Sequence, residues 1–264
     1  MYWILGSLLF LVLLFLFFVF PAVRRHPHRE VLKNRFIAHR GLHDADRPEN
    51  SLSAFAAAKA AGYTIETDVH LTADGEVVVF HDDTLTRMCG VNGVVEESTL
   101  AELKALRLKN SDECIPTFAE FLELVDGTVP LLIEFKVHGG NTVPLCEAVE
   151  RILADYKGEY IIQSFYPPVL HWYRKNRPAV CRGQLSAPFL NENFAHILSG
   201  CLLFNVIARP DFVSYDHMGA NHPCRRLCTV LGALPVGWTF HSQKEIDAHR
   251  ADFEGFIFEG FTPQ

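Results

Sequence analysis

Basic residues are in short supply in this chain: 24 lysines and arginines stand against 31 acidic residues, for a net charge of −7. Five of those cations, Arg24, Arg25, Arg29, Lys33 and Arg35, crowd into one stretch that holds a single acid, Glu30. The remainder carries 19 basic and 30 acidic side chains, a net of −11. That balance argues against nucleic acid as a partner, because phosphate-backbone binding needs clustered positive charge. The seven cysteines are an odd number, which does not suggest a disulfide framework and fits a reducing compartment better. His222, Cys224 and Cys228 have a zinc-like spacing, but the segment reads as a helix start and no fourth ligand is evident nearby. The sequence also lacks internal repeats, low-complexity tracts, a glycine loop for phosphate and a serine nucleophile elbow.

Charge is missing altogether from Tyr2 to Val23, a run rich in Leu, Phe, Val and Ile. As a helix it would cover about 33 Å at 1.5 Å per residue, comparable with a hydrocarbon core of roughly 30 Å. No basic n-region and no small-x-small cleavage site precede Arg24, so a retained single-pass transmembrane anchor is expected in place of a secretory signal. The basic flank that follows predicts, by the positive-inside rule, that the rest of the chain is cytoplasmic. The same flank suits anionic membrane lipids, with each cation gaining about 1 kcal/mol near their surface. So short a tether is expected to hold an active-site mouth within reach of the headgroups.

What the chain does have begins with Glu66-Thr67-Asp68 inside "YTIETDVHL". Side chains on a strand alternate faces, so Glu66 and Asp68 point the same way and lie close together. Two adjacent like charges repel unless a cation lies between them, and a divalent ion with oxygen ligands is the simplest candidate. Other apolar runs end in the same manner. Phe36-Ile37-Ala38 runs into His39-Arg40-Gly41 and then Pro48-Glu49-Asn50; Val77-Val78-Val79-Phe80 into His81-Asp82; and Leu131-Leu132-Ile133 into Glu134-Phe135-Lys136. Chemistry-bearing groups at the ends of several strands mark a shared rim, which in parallel α/β architectures is where ligands bind. The coarse pattern predicts strands at 36–39, 64–70, 130–135, 160–163, 180–185, 212–215, 234–238 and 255–258. Helices are predicted at 51–61, 117–125, 143–156, 167–176, 190–200, 221–230 and 242–250. From about residue 30 onward there is room for one domain of roughly 250 residues.

The series His39-Arg40-Gly41, Pro48-Glu49-Asn50, Glu66-x-Asp68, His81-Asp82 and Glu134-x-Lys136 resembles, in order and spacing, the glycerophosphodiester phosphodiesterase family. Weaker likeness continues through Gln163-Ser164-Phe165, Gly183-Gln184-Leu185 and Val236-Gly237-Trp238-Thr239, so it covers about residues 36–260. The resemblance implies a TIM (β/α)8 barrel, a divalent metal and hydrolysis of a glycerol phosphodiester. Residues 71–116 exceed an ordinary βα connection and match the family's small insertion after the second barrel strand, expected to cap the site. The expected organisation is a transmembrane anchor at 1–23, a basic juxtamembrane segment at 24–35 and the barrel at 36–264. The chain as given leaves little room for a helix after the last strand, so the N-terminal helix or the membrane is expected to cover that flank, or else the flank stays partly open.

Chemistry on a phosphodiester needs charge neutralised on the non-bridging oxygens, a nucleophile deprotonated and a leaving alkoxide protonated. Glu66, Asp68 and Glu134 are the expected ligands of one hard cation, Mg²⁺ or Ca²⁺. Arg40 is expected to clamp the phosphate and Lys136 to add a point charge. His39 and His81 are the candidate general acid and base, with neither assignment fixed; family-like schemes have the base activate the glycerol 2-hydroxyl, giving a cyclic phosphate that water opens. His43, His70 and His138 are expected to support. Trp238 could pack on the glycerol or acyl part of the substrate, and Glu49 is either a charge at a helix start or a holder of a ligand residue. The leading expectation is hydrolysis of glycerophosphodiesters to glycerol 3-phosphate and an alcohol. Its alternatives are a lysophospholipase D acting on membrane lysophospholipids at the same site and a non-catalytic headgroup-binding module.

Overall fold

The computed structural model describes residues 2–189 and 193–264. Its helices are α1 (Tyr2–Val19), α2 (Leu52–Ala60), α3 (Thr86–Cys89), α4 (Leu100–Ala105), α5 (Phe118–Val125), α6 (Thr142–Leu153), α7 (Pro167–Asn176), α8 (Phe194–Gly200), α9 (Asn205–Ala208), α10 (Pro223–Val230) and α11 (Gln243–Ala248). Its strands are β1 (Arg35–Ala38), β2 (Thr64–Leu71), β3 (Val77–Val79), β4 (Leu131–Phe135), β5 (Tyr160–Ser164), β6 (Arg182–Ser186), β7 (Phe212–Asp216), β8 (Leu234–Phe240) and β9 (Gly255–Phe258). The predicted helix at 190–200 is found from Phe194 onward, and its expected first turn lies outside the described residues.

β1 pairs in parallel with both β2 and β9, which closes eight parallel strands into a TIM barrel. The period of two then sorts each strand into layers. Ile37, Leu132, Ile161, Val236 and Ile257 point inward and pack with Cys181, Phe212 and Leu234. Two residues further along the same strands stand His39, Glu134, Gln163, Trp238 and Glu259. An apolar floor therefore carries a polar upper layer on the same inward face. Gly183 belongs to this arrangement: a Cβ there would stand 2.1 Å from the Phe212 ring, so glycine is what lets that ring into the barrel.

The insertion after β2 has its own small core. β3 pairs antiparallel with β2, Val69 opposite Val79. Val78, Phe80, Leu85, Met88, Val95, Leu103, Leu108 and Ile115 bury one another beneath it. Buried His70 ties this unit to the barrel, with Nδ1 against Glu96 and Nε2 3.2 Å from the His81 carbonyl.

Three expectations about the N-terminal region are corrected. α1 stops at Val19 because Pro21 disfavours helix at the residue before it, so the helix covers about 27 Å for its 18 residues. The stretch at 24–35 is more than a juxtamembrane linker. A 3₁₀ turn at Pro27–Leu32 crosses the base of the barrel and drives Leu32 into the inner floor beside Ile161 and Phe212. Nor does α1 cover the flank beside β9. Its one buried residue, Val19, sits by Asn205 and Cys228, next to α9 and α10. The flank is covered by aromatic packing of Phe36, Tyr63, Phe256, Phe258 and Phe261.

Candidate active site

At the carboxyl ends of the strands lies a cleft of about 370 Å³ that brings together the sequence-predicted residues of five strand ends. Register places Asp68 of β2 directly opposite Glu134 of β4. Glu66, Asp68 and Glu134 each offer an oxygen within 4.8 Å of the others, and at 1%, 0% and 6% exposure they are shut away from water. Burial, with Asp68 and Glu134 close by, pushes Glu66 well above the usual carboxylate range. Burial likewise raises Glu134, with Asp68 adding to it and Lys136 opposing. Burial works against ionisation of Asp68 too, but Lys136, His81, Arg40 and Asn50 outweigh it and hold that carboxyl low. Two buried oxygens of the cluster, Glu66 Oε1 and Asp68 Oδ1, accept no hydrogen bond, and Glu66 Oε1 has no ion pair either. An orphaned carboxylate oxygen beside two more carboxylates is a donor set that fits a hard divalent cation.

The cations come from two turns. After β1 the backbone passes through the left-handed region at Arg40 (φ 55°) and Gly41 (φ 82°), and a Cβ on Gly41 would meet the Ala54 backbone at 2.9 Å. This turn gives the Arg40 N–H to Glu66 at 3.0 Å and swings the guanidinium between Glu49 (2.7 Å) and Asp68 (3.7 Å). Lys136 Nζ stands 2.5 Å from Glu134 and 3.1 Å from Asp68. Glu49 differs from its expected place: Ser51 caps α2, and Glu49 reaches no metal-site carboxylate. It accepts two bonds from Arg87, both 2.7 Å, along with the one from Arg40, and the two arginines hold it down at about 2 against the effect of burial.

The two motif histidines line the cleft, each backed by a carboxylate. His39 Nδ1 lies 2.5 Å from Glu259, and His81 Nδ1 lies 2.7 Å from Asp82. In both, the carboxylate fixes the proton on Nδ1 and leaves Nε2 for chemistry. Burial lowers the His39 pKa against the pull of Glu259, and burial lowers His81 to about 4. Asp82 is shared with Arg87 at 2.6 and 2.9 Å, whereas Glu259 faces three imidazoles, with His241 at 3.5 Å and His43 at 3.6 Å. Trp238 lines the cleft edge-on to Phe165, ring centroids 5.7 Å apart. His138 lies apart, half-exposed and 3.9 Å from Asp83.

Sequence reasoning gave no role to Glu259, Arg87 or Asn50. Glu259 had a signal, since it ends the apolar run Phe256-Ile257-Phe258 as Glu134 ends that of β4. Asn50 stood inside a quoted motif, and its Nδ2 donates to Asp68 at 2.9 Å. Arg87 reaches the cleft only through the fold of the insertion, and nothing in its local sequence marks it.

A sequence profile of the Glycerophosphoryl diester phosphodiesterase family matches residues 39–187. A glycerophosphodiester phosphodiesterase of Caldanaerobacter subterraneus subsp. tengcongensis is 35% identical, over 58% of this chain and 67% of that protein. A lysophospholipase D of Rattus norvegicus is 32% identical, over 58% of this chain and 51% of its own. Among solved structures, the glycerophosphodiester phosphodiesterase of Thermotoga maritima superposes with a TM-score of 0.68 at 28% identity, covering 84% of this chain and 93% of that one. With the profile spanning more than half of its length and the motif residues gathered in one cleft, the chain belongs to the glycerophosphodiester phosphodiesterase family, whose members hydrolyse glycerophosphodiesters.

Proposed function

We propose that this cleft hydrolyses glycerophosphodiesters to glycerol 3-phosphate and an alcohol by two-histidine acid/base catalysis, with one divalent cation held by Glu66, Asp68 and Glu134. The observation that carries the reading is the juxtaposition of a buried three-carboxylate cluster with two carboxylate-backed imidazoles lining the same cleft. The cation, Mg²⁺ or Ca²⁺, neutralises phosphate charge when bound. Arg40, oriented by Glu49, grips a non-bridging oxygen, and Lys136 adds positive charge beside it. Trp238 packs against the glycerol.

His39 is the general base, because Glu259 shares its charge with no guanidinium and so best supports an imidazolium at His39. His81 is the general acid, because Arg87 draws charge from Asp82 and leaves a protonated His81 a stronger acid. The phosphate anion entering the cleft favours that protonated form. His39 Nε2 takes the proton of the glycerol 2-hydroxyl as its oxygen attacks phosphorus, and His81 Nε2 delivers a proton to the departing alkoxide. The two exchange roles when water opens the cyclic phosphate.

α1 is read as a membrane anchor within the proposed 1–23 segment, followed by the basic stretch 24–35 and the catalytic barrel 36–264 with its insertion at 71–116. Outside its last turn its apolar side chains, Trp3 at 91% exposure among them, stand clear of the protein, and the cations that follow favour a cytoplasmic barrel. One observation favours lysophospholipids as further substrates. A second cavity of about 590 Å³, lined by Phe165, Tyr166, Phe189 and Phe204, shares Phe165 with the cleft and offers an apolar surface for an acyl chain. The test is a panel of water-soluble diesters and lysolipids assayed with each metal in turn. Release of glycerol 3-phosphate from the diesters, and of its acylated form from the lysolipids, supports the reading, and release of a phosphorylated alcohol instead sinks it.

A further inference from the structure

α1 leaves the barrel at the end opposite the cleft. The Ala22 N–H donates to Pro210 (2.9 Å) ahead of β7, Arg29 to Gly232 (2.7 Å) ahead of β8, and the Asn34 N–H to Glu254 (2.6 Å) ahead of β9. All three contacts lie at the amino ends of strands, whereas the residues assigned to the chemistry gather around the cleft at the opposite end of the barrel. The foot of α1 is fixed there. Arg209 donates to the carbonyls of Phe17 (3.0 Å) and Phe20 (2.7 Å) with its guanidinium over the Phe17 ring, and Asn205 donates to the Val19 carbonyl at 2.8 Å.

Beside that foot is a cleft of about 720 Å³ walled by Arg24, Arg25, Arg174, Arg182 and Arg209, with Asp211 as the one carboxylate on its wall. Arg182 is 8% exposed, yet its hydrogen bonds, to the carbonyls of Val180, Ala208 and Arg209, are 3.4–3.5 Å long and its ion pair with Asp211 is 3.7 Å. Five guanidiniums around one cavity repel one another unless an anion enters, and their planar forks match phosphate oxygens. The cleft sits where an exposed apolar helix meets the protein, which is the level of lipid headgroups if that helix spans a bilayer.

We propose that this arginine cleft seats the phosphate headgroup of an anionic phospholipid and sets the barrel base-down on the membrane, with the catalytic mouth facing the aqueous phase. The proposal rests on the anchor reading of α1. It replaces the expectation of a mouth at the headgroups. Five-residue strands rise roughly 16 Å along their length, about 13 Å along the axis of a barrel whose strands tilt about 36°, and that height separates the mouth from the base.

The test uses the full chain in phosphatidylcholine vesicles containing phosphatidylglycerol, with photoactivatable analogues of either lipid and the labelled peptides mapped. The seat predicts that the phosphatidylglycerol probe labels residues 22–27 and 174–182 about tenfold more than the phosphatidylcholine probe. The combined Arg24→Gln, Arg25→Gln and Arg174→Gln variant is expected to lose that preference while keeping its thermal unfolding and its turnover of a soluble diester. Equal labelling by both probes, in a chain that survives an alkaline wash of the vesicles, overturns the seat and leaves the anchor standing. Loss of the chain in that wash overturns both. Displacement of the label by inorganic phosphate assigns the cleft to a free anion and overturns the lipid, and strong labelling near Tyr166 or Phe194 overturns the base-down orientation.

Discussion

The two ends of the barrel are built on opposite terms. At the carboxyl ends, Glu49, Glu66, Asp68, Asp82, Glu134 and Glu259 share a small space with Arg40, Arg87 and Lys136; burial raises Glu66 and Glu134 and lowers the two histidines, while neighbouring cations hold Asp68 and Glu49 down against it. At the amino ends, Leu32 closes an apolar floor and arginines ring the outside. Groups at the top are held where they are uncomfortable, which is what binding a cation and moving protons require. The apolar side chains of the floor are satisfied by packing, which is what stability requires. Substitutions at the top should therefore change rate more than folding, and those at the base the reverse.

The largest effect is expected from the carboxylate cluster. Glu66→Gln or Asp68→Asn should lower turnover on the order of 10³-fold or more, as loss of a principal charge stabiliser does, with little change in unfolding. Each should also lose the rise in melting temperature that Mg²⁺ or Ca²⁺ gives the wild type. Near-wild-type turnover together with intact cation binding in either variant would falsify the ligand set.

The histidines come next. His39→Ala and His81→Ala should each lose about 10² to 10⁴ in rate. The two separate on a substrate with a very good leaving group, which should restore much of the rate to His81→Ala and little to His39→Ala. If both variants recover equally, the acid and base assignments fail.

At the other end, Leu32→Ala should destabilise the fold by about 2–5 kcal/mol through a cavity in the floor, leaving kcat at permissive temperature unchanged. Denaturant unfolding and steady-state kinetics on one preparation check both halves, and a large fall in kcat without a fall in stability breaks the contrast.

Smaller still is a pH effect. The folded His39 has a lowered pKa, so protonation favours the unfolded chain and stability falls as pH drops below about 6.5. Glu259 is also depressed, so its contribution is present above its unfolded value near 4.5 and is lost as pH falls below that. Glu259→Gln should flatten the acid limb of melting temperature against pH below about 4.5 and cut turnover roughly 10- to 100-fold, as loss of a supporting partner does. An unchanged acid limb removes Glu259 as the charged partner of His39.

Much of this molecule was readable from sequence because its signals are local. Alternation within Thr64–Leu71 put Glu66 and Asp68 on one face without any partner strand in view, and the turn residues around Arg40 and Gly41 marked where β1 ended. The Val77-Val78-Val79 run of β3 was legible as a strand, but helices α3 and α4 were not placed, because an insertion with its own small core obeys no barrel period. The Pro21 stop of α1 was legible in principle and was overridden by an uninterrupted apolar run.

The sequence by itself determined the eight barrel strands and the acid pair, since each follows from the periodicity of a few adjacent residues, and its motifs marked the two histidines. Only the tertiary structure decided that Glu259 backs His39, that Arg87 and Arg40 share Glu49, and that the apolar helix is fixed to the end of the barrel remote from the cleft. Those pairings join residues as much as 220 positions apart, across a sheet whose closure sets the neighbours, and no local pattern carries the register of a closed barrel.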